Sequence, residues 1–361
     1  MSTPDLLVVA GDLDPRRGGQ ERSIREVLTE LDRLGAHVAL ASPSRPEDIP
    51  LARHITLPVR SGSKMERWKA LLGAADEAGA STPAGCVLSH LPTRCDWYLP
   101  RGGLFPEAYA RSAASHSSAL GRWSSTLVTS RHRKLLLNKE RHLLAAGSRT
   151  GLIALSDYVA ASARQLYHLP EDRLRVIRNG IDIDRVRDAR PIDRATLGLD
   201  AGHLVIMAVA HNPRLKGTPS LLAAVRSLDR DDVRVVLIGG EPSNAGPVIG
   251  LGPRNDVPSL LRCADLFVHP TFYDPSSRVV LEALAARVPV ITTRWNGAAD
   301  VIDGGGLVVD DPRDTPALRD AIATMLERGT REAARASLRK IDPLISVEAH
   351  ARSLLGLVER G

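Results

Sequence analysis

Aromatic residues, cysteines and long apolar runs are scarce in this sequence, and each shortage argues against a class of protein. Phe, Trp and Tyr make up 3% of the 361 residues, too few for a surface that stacks nucleic-acid bases. The three cysteines, Cys86, Cys95 and Cys263, lack the paired spacing of a zinc site and indicate reduced thiols. No run approaches the roughly 18 apolar residues of a membrane span, and residues 6–10 are too few for a signal peptide. We therefore expect a soluble, cytoplasmic protein that does not bind nucleic acid.

Positive charge is concentrated in residues 101–149. This stretch holds nine basic and two acidic residues, so its excess is larger than the net charge of +6 of the whole chain. Such a block favours an anionic partner, either a membrane surface or a phosphorylated acceptor, and the alternative is a solvated helix face. The basic residues are Arg101, Arg111, Arg122, Arg131, Arg133, Lys134, Lys139, Arg141 and Arg149, and the acidic ones are Glu107 and Glu140.

The first part of the chain has the pattern of a β-α-β unit. Residues 6–10 form an unbroken apolar run, typical of a parallel strand that is covered on both faces. After the loop 11–19, apolar residues recur every three or four positions over 24–34, which predicts one buried helix face that ends at Gly35. Further short strands are predicted at 37–41, 86–89 and 151–155.

A second series of the same kind begins near residue 203. Thr218-Pro219 and Thr315-Pro316 each combine a helix N-cap with a proline at the first helical position. Alternating strands and helices predict parallel sheets, and the chain is long enough for two domains that join near residues 181–193. We therefore expect an α/β protein with two Rossmann-like domains facing across a cleft. Strands are predicted at 204–210, 233–238, 266–269 and 288–292, and helices at 257–264 and 277–287.

Ligands of such sheets bind at the carboxyl ends of the strands, and two loops there have suitable residues. Gly18 and Gly19 follow the first strand, where glycine lets the backbone approach an anion at a helix N-terminus; a simple turn is the alternative. Arg214 and Lys216 follow the strand at 204–210, and their charges suit a diphosphate; an ordinary solvated loop is the alternative.

The segment 265–293 is the most informative one. A strand leads to Asp274 in a loop, Ser276 or Ser277 caps the next helix, and Glu282 lies within that helix. The two carboxylates can face one elongated ligand at different depths, with Glu282 on vicinal hydroxyls. Free N–H groups near Ser277 suit a phosphate. The alternative, which would be preferred if these two acids were the only evidence, is that they are surface residues beside the start of a helix.

This segment resembles the signature of glycosyltransferase family 4, which reads Glu, seven residues, Glu, and then Ala-x-Ala-x-Gly-x-Pro-Val. The resemblance extends along nearly the whole chain. Within the family, the turn ending Asp96-Trp-Tyr98 and the basic stretch 129–141 are most similar to the lipopolysaccharide core glucosyltransferase I group, where this insertion is associated with the membrane face. The other matching segments are Gly18-Gly19, Ile-Ala-Leu-Ser156, Val-Ile-Arg-Asn179-Gly-Ile-Asp182, Arg-Leu-Lys216-Gly, Gly-Pro-Arg-Asn-Asp256-Val and Ala264-Asp-Leu-Phe-Val-His-Pro270.

The resemblance implies a role for each matching residue. Glu282 would bind the donor ribose, and Lys216 with Arg214 would bind the diphosphate. Asp274 occupies the first Glu position, near the donor sugar and the acceptor. The remaining implied contacts are Gly18 and Gly19 over the diphosphate, Arg254 and Asp256 around the base, Ser276 and Ser277 at the phosphate, and Arg101 and His90 on the sugar side.

Three residues depart from the family pattern. Asp274 is one methylene shorter than Glu. Arg101 stands where many relatives have a histidine that contacts the donor sugar, which puts a histidine-based step in doubt. Arg287 takes the place of the usual glycine, and the sequence offers no account of it.

The resemblance implies the GT-B fold and a retaining transfer of a hexose from a nucleoside diphosphate sugar, UDP-glucose-like, to a glycan or lipid-linked acceptor of the cell envelope such as lipopolysaccharide core. No metal or other cofactor is expected, and the basic block 101–149 would bring the protein to the inner face of the membrane. The alternative functions are a catalytically idle protein that binds a nucleotide or glycan, and a phosphorylase on the same fold.

The domains are expected at 1–185 and 186–343, with a helix at about 344–361 that packs back on the first domain. The sequence leaves the oligomeric state open.

Overall fold

The computed structural model describes residues 3–14, 18–116, 118 and 130–358. The chain divides into two compact units. The first consists of Met1–Ala110, Trp123–Gly180 and Ser346–Gly361, and the second of Arg111–Arg122 and Ile181–Ile345. The sequence instead assigned all of residues 1–185 to one domain.

The described strands of the first unit form one parallel sheet of seven strands in the order β3-β2-β1-β4-β5-β6-β7. The strand β1 is covered on both faces, because its side chains alternate between two core clusters, with Leu7 and Val9 in one and Leu6 and Val8 in the other. This explains the unbroken apolar run. The strands are β1 Leu6–Val9, β2 Val38–Ser42, β3 Arg53–Thr56, β4 Cys86–Ser89, β5 Trp97–Tyr98, β6 Gly151–Ala154 and β7 Leu174–Val176.

The helices that follow these strands begin with α1, Gly19–Arg33, whose buried stripe includes Ile24, Val27, Leu28 and Leu31. Gly35 follows this helix with a positive φ of 81°, and Ala36 N donates to Leu31 O as in a Schellman ending. The others are α2 Lys64–Ser81, α3 Phe105–Ala114, which runs from the first unit into the second, α4 Arg131–Leu143 and α5 Asp157–Tyr167.

The second unit contains a parallel sheet of six described strands in the order β10-β9-β8-β11-β12-β13. The chain runs outward from β8 to β10, then returns to the other side of β8 and continues outward from β11 to β13. The pair β8 and β11 is therefore the switch point of this sheet, where ligands bind in open α/β folds. The strands are β8 Leu204–Val209, β9 Val233–Ala245, β10 Val248–Gly252, β11 Leu266–His269, β12 Val290–Thr293 and β13 Gly306–Val309.

The helices of the second unit correct several predicted ends. The helix at 218 is capped by Gly217 instead of Thr218, and the helix at 315 by Asp314, whose carboxylate accepts from Ala317 N at 2.9 Å. The predicted helices 257–264 and 277–287 are shorter, and the strand predicted at 233–238 extends to Ala245. The helices are α6 Ile183–Arg187, α7 Thr218–Arg226, α8 Val257–Leu261, α9 Arg278–Ala285, α10 Thr315–Leu326, α11 Arg328–Ser337 and α12 Asp342–Ile345.

The helix α13, Val347–Val358, belongs to the first unit. It packs on α1, where Arg33 and Glu348 form an ion pair of 3.2 Å. The buried His350 ring lies with its Nδ1 2.7 Å from Arg178 O.

The two parallel sheets with their covering helices confirm the predicted α/β class with two Rossmann-like units.

Candidate functional site

The loops that follow β8 and β11 meet at the switch point of the second sheet. Gly217, at the end of the first loop, has a φ of +71°, and a Cβ there would lie 1.9 Å from Pro270 O in the second loop. Both the conformation and this close approach require glycine. Leu215 O also accepts hydrogen bonds from Phe272 N at 2.8 Å and from Thr271 Oγ1 at 3.0 Å. These contacts hold Lys216 beside the second loop.

Lys216 and Asp274 form the central ion pair of this site. Lys216 Nζ lies 2.6 Å from Asp274 Oδ2, and the two side chains are 20% and 14% exposed. Asp274 Oδ1 accepts from Ser276 N at 3.2 Å, so both carboxylate oxygens are engaged. Burial raises the pKa of Asp274, but the Lys216 ammonium and His269 outweigh this effect and hold the pKa well below its usual range. Asp274 is therefore ionised near neutral pH.

The backbone around Asp274 is fixed by residues that follow β12. Asp274 N donates to Trp295 O and Gly297 N donates to Asp274 O, each at 2.9 Å. Asn296 is buried, and its Oδ1 accepts from Ser277 N at 3.2 Å. Ser277 is the N-cap residue of α9, as predicted, but its side chain makes no capping hydrogen bond, and the Asn296 amide oxygen accepts at the start of the helix instead. Sequence reasoning missed Asn296, since its role depends on a contact between distant segments.

His269, the last residue of β11, is a further member of the site that sequence reasoning missed. Its ring is 1% exposed, and Nε2 lies 3.8 Å from Asp274 Oδ2. Burial is the main cause that lowers the pKa of His269, so the ring is neutral near pH 7. Its position at the carboxyl end of a buried strand was the signal in the sequence that could have identified it.

Glu282 lies in α9 and is 5% exposed. Its Oε1 accepts from Arg185 Nη2 of α6 at 2.8 Å, so the buried carboxylate has a positively charged partner. The arrangement keeps one oxygen of the carboxylate engaged within the second unit. Arg185 was not among the candidates, because only the fold brings α6 against α9.

The other candidates of the second unit lie in exposed loops. Arg214 Nη1 is 3.4 Å from His116 Nδ1, and Arg214 belongs to the same loop as Lys216. Arg254 follows the carboxyl end of β10, and its Nε donates to Asp256 Oδ1 at 2.8 Å. The loops after β8, β10 and β11 lie at the same edge of the sheet because the strands are parallel.

The structure also gives an account of Arg287, which follows α9 with a positive φ of 62°. Arg287 N donates to Leu284 O and Val288 N to Ala283 O, which is the Schellman pattern that favours glycine at this position. The arginine side chain forms contacts that offset the backbone cost: its guanidinium donates to both carboxylate oxygens of Asp342, with Nη2–Oδ2 at 2.7 Å, and to Leu338 O.

The candidates of the first unit do not form a comparable cluster. Gly18 caps α1 and Gly19 is its first residue, and both are exposed. Arg101 is buried, and its Nη1 donates to Ser23 Oγ at 2.9 Å and to Asn179 Oδ1 at 3.1 Å. His90 Nδ1 lies 3.0 Å from Leu99 O, and burial, with the charge of Arg101, lowers its pKa to about 3.

Part of the basic block forms the helix α4. Arg131, Lys134 and Arg141 are exposed, whereas Lys139 Nζ lies 2.6 Å from Asp76 Oδ2. The same helix carries the buried Glu140, which accepts from Tyr167 Oη at 2.6 Å. Arg122 and residues 119–129 lie outside the described residues.

Three further properties concern the described part of the chain. Within the described residues, no group of three or more His, Cys, Asp or Glu side chains could hold a metal ion. Cys86, Cys95 and Cys263 are buried free thiols. None of the helices in the described ranges combines the length and the apolar character that a membrane crossing requires.

Two family models match this chain. The model described as "Glycosyl transferases group 1" matches residues 202–328, which contain the switch-point site. The model described as "Glycosyltransferase Family 4" matches residues 106–185. The matches agree with the resemblance seen in the motifs.

Individual relatives are similar over most of the chain. The lipopolysaccharide glucosyltransferase WaaG of Escherichia coli K12 is 25% identical over 333 residues, which are 86% of each chain. The crystal structure of WaaG, a glycosyltransferase involved in lipopolysaccharide biosynthesis, superposes with a TM-score of 0.76 at 22% identity and covers 98% of this chain and 100% of its own. The structure of Anabaena HepE in complex with UDP and glucose has a TM-score of 0.70 at 16% identity and covers 99% of both chains. The structural likeness confirms the predicted GT-B fold.

Proposed function

We propose that this chain, which has the GT-B fold that its motifs predicted, is a family 4 glycosyltransferase that transfers a hexose from a nucleoside diphosphate sugar with retention of configuration. The observation that carries this proposal is the buried pair of Lys216 and Asp274 at the switch point of the second sheet. There a cation and a carboxylate lie beside the starts of two helices, α7 and α9.

Lys216 is the residue that we assign to the departing diphosphate. A diphosphate acquires negative charge as the bond to the sugar breaks, and a preorganised cation stabilises that charge in a partly buried site. Arg214 lies in the same loop, and the positive end of the α7 helix dipole adds to the charge at this place. Because these groups supply positive charge, the proposed reaction proceeds without a metal ion. Turnover that is unchanged by a chelator supports this part of the proposal, and loss of turnover that Mg²⁺ restores overturns it.

The proposed step needs no nucleophile from the protein. The bond between the anomeric carbon and the diphosphate oxygen breaks, and its electron pair leaves with the diphosphate. The acceptor hydroxyl forms the new bond on the same face, and its proton passes to a diphosphate oxygen. Asp274, ionised and fixed at both oxygens, orients the sugar and the acceptor.

Glu282 is the residue that we assign to the donor ribose. Its Oε1 is bound to Arg185, and Oε2 makes no hydrogen bond with the described part of the chain. Carboxylates accept hydrogen bonds from the vicinal hydroxyls of ribose in other α/β nucleotide sites. Arg185 supplies the positively charged partner that a buried carboxylate needs.

The names of the relatives support a uridine nucleotide and an envelope acceptor. WaaG is named as a lipopolysaccharide glucosyltransferase, and HepE was solved with UDP and glucose. We therefore propose a UDP-glucose-like donor and a glycan or lipid-linked acceptor such as lipopolysaccharide core.

A thermal-shift panel of UDP, GDP, ADP and TDP sugars tests the donor. A ligand at 100 times its Kd stabilises the protein by about 2.7 kcal/mol, so the matching base gives the largest shift in melting temperature. Hydrolysis of the matching sugar nucleotide without acceptor separates an enzyme from a protein that only binds nucleotide. Absence of both transfer and hydrolysis across the whole panel contradicts the proposal.

The helix α4 is the part of the basic block that we assign to the membrane. Arg131, Lys134 and Arg141 lie on its exposed face, and each basic residue near an anionic surface contributes about 1 kcal/mol at low salt. Such a contact would hold the protein peripherally at the inner face of the membrane, where lipid-linked acceptors are available. Co-sedimentation with anionic and neutral vesicles tests this, with the triple change of these residues to Gln as the matched control. Equal binding to both vesicle types contradicts the assignment.

A further inference from the structure

The imidazole of His269 is buried in the switch-point site without a hydrogen-bond partner at Nε2 among the described residues. The ring is 1% exposed and lies over Phe267, with ring centroids 5.9 Å apart. Its backbone oxygen accepts from Thr292 Oγ1 at 2.7 Å, which anchors the end of β11 to β12. An unpaired polar atom in such a rigid, buried place is costly, and this cost calls for an explanation.

Two groups approach the same oxygen of Asp274. Lys216 Nζ lies 2.6 Å from Oδ2, and His269 Nε2 lies 3.8 Å from it. Within the described part of the chain, Lys216 and His269 are the side chains that lower the pKa of Asp274, and Lys216 and Asp274 are the charged side chains that act on the pKa of His269. Lys216 has the short contact in this structure, and His269 stands just beyond hydrogen-bond distance.

The proposed reaction places two demands on Lys216. Its ammonium neutralises Asp274, and it is also the group assigned to the diphosphate of the donor. When it turns to the diphosphate, Asp274 loses its charged partner at Oδ2 and keeps the Ser276 N–H at Oδ1. A buried carboxylate that has lost its charged partner takes up a proton or shifts out of position, and either event removes a charge that the site has oriented.

We propose that His269 is a positioning residue for Asp274: its Nε2–H donates to Oδ2 when Lys216 engages the donor diphosphate. This inference rests on the proposed function, because it requires a diphosphate that attracts Lys216. The movement needed is small, since Nε2 is already 3.8 Å from the oxygen.

The chemistry of histidine suits this task better than a second cation. Burial favours the neutral ring, so the imidazole donates a hydrogen bond without adding positive charge beside Lys216. A buried charge would compete with Lys216 for the same carboxylate while the donor is absent. The neutral ring leaves Lys216 in its short contact until the diphosphate arrives.

The test compares H269F, which keeps a buried ring but has no N–H, with H269Q, whose amide N–H reaches about as far as Nε2. We expect the kcat of H269F to fall about tenfold and its donor KM to change less than about twofold. The acid limb of its kcat profile moves up by about one pH unit, because Asp274 takes up a proton more readily in the donor complex. H269Q recovers most of the turnover and the position of the acid limb.

H269N is a second comparison that does not depend on the aromatic substitution. Its amide is chemically the same as that of Gln but too short to reach Asp274, so it behaves like H269F. Melting temperatures of all variants identify any that fail to fold. If H269F does not fold, the comparison of H269N with H269Q tests the proposal.

The outcomes separate this inference from the function on which it rests. A wild-type protein that binds no sugar nucleotide and transfers no sugar overturns both. A wild-type enzyme that is active, together with folded H269F and H269N variants of unchanged kcat and acid limb, overturns only the role of His269. Loss of activity in H269Q equal to that in H269F also overturns it, because the ring would then serve packing alone.

Discussion

Lys216 Nζ and Asp274 Oδ2 lie 2.6 Å apart although the residues are separated by 58 positions in the chain. The fold brings them together because β8 and β11 are neighbours and the loops that follow both strands lie at the same edge of the sheet. The contact between Gly217 and Pro270 O then sets how closely the loops approach. The geometry of the pair therefore depends on residues that have no catalytic chemistry. Gly217 and Pro270 set the distance between the two loops, and Asn296 holds the backbone at the start of α9.

Replacing Lys216 by Ala is expected to lower turnover at least tenfold while the protein remains folded. Removal of one preorganised group that stabilises developing negative charge typically costs about 10²–10³ in rate. Steady-state kinetics with the donor identified by thermal shift measure the effect, and the melting temperature checks the fold. K216R is the matched control, since it keeps the charge and retains more activity than K216A. Turnover of K216A equal to that of the wild type would remove Lys216 from the mechanism.

Gly217→Ala is expected to destabilise the protein more than Gly198→Ala. Both glycines have a φ of +71°, but a Cβ at Gly198 meets nothing within 4 Å, whereas at Gly217 it lies 1.9 Å from Pro270 O. The backbone conformation alone costs about 1 kcal/mol for a residue with a Cβ, which is about 2–4 °C in melting temperature for a domain of this size. G198A shows this cost alone, and the shift of G217A is at least twice as large and is accompanied by lower activity. Equal shifts for the two variants contradict the close packing of the loops.

Arg287→Gly is expected to be more stable than Arg287→Ala. Both changes remove the contacts with Asp342 and Leu338 O, so their difference isolates the cost of the positive φ. That difference is about 1 kcal/mol in favour of glycine. Urea or thermal unfolding of the two variants measures it, with the wild type as reference. If R287A matches or exceeds R287G in stability, the left-handed conformation at this position is wrong.

Glu140→Gln is expected to make the protein less sensitive to pH between about 4.5 and 7. Burial raises the pKa of Glu140 from 4.5 to about 7, against the opposing hydrogen bonds from Tyr167, Phe105 N and Tyr98. Between these two values the unfolded chain loses the proton while the folded protein keeps it, so the contribution of Glu140 to stability falls as the pH rises. The loss amounts to about 3 kcal/mol at most.

Melting temperatures of the wild type and E140Q from pH 5 to pH 8 measure this effect. The difference in favour of E140Q grows with pH, because an amide has no proton to lose in this range. The change of the exposed Glu47 to Gln is the control for the removal of one surface carboxylate. A constant difference for E140Q would show that Glu140 is already ionised in the folded protein.

Local patterns predicted the regular elements well where burial is uniform. The strands β4 and β11 have the bounds expected from their apolar runs, because a strand covered on both faces reads as an uninterrupted apolar segment. Helix starts were less predictable. Thr218 and Asp314 illustrate the reason: the residue that caps a helix depends on the backbone conformation of the preceding loop, and Gly217 adopts a left-handed one that only its tertiary contact requires.

The residues of the candidate site likewise differ in how far the sequence could predict them. The motif spacing identified Asp274, Glu282 and Lys216, because residues of one loop or helix are close to each other in any fold of this class. It did not identify Asn296, whose amide accepts from Ser277 N in a segment that follows another strand. His269 was also missed, although its place at the end of a buried strand was an available signal.

By itself, the sequence determined the alternation of strands and helices, the family and the residues able to carry charge at strand ends, since these depend on short-range periodicity and residue chemistry. Only the tertiary structure decided that Lys216 pairs with Asp274, that Arg185 holds Glu282, and that the side chain of Arg287 offsets an unfavourable φ. The physical reason is that ion pairing and desolvation act over a few ångströms in space. Those distances are set by which strands become neighbours and how closely their loops pack, and no local pattern of residues encodes them.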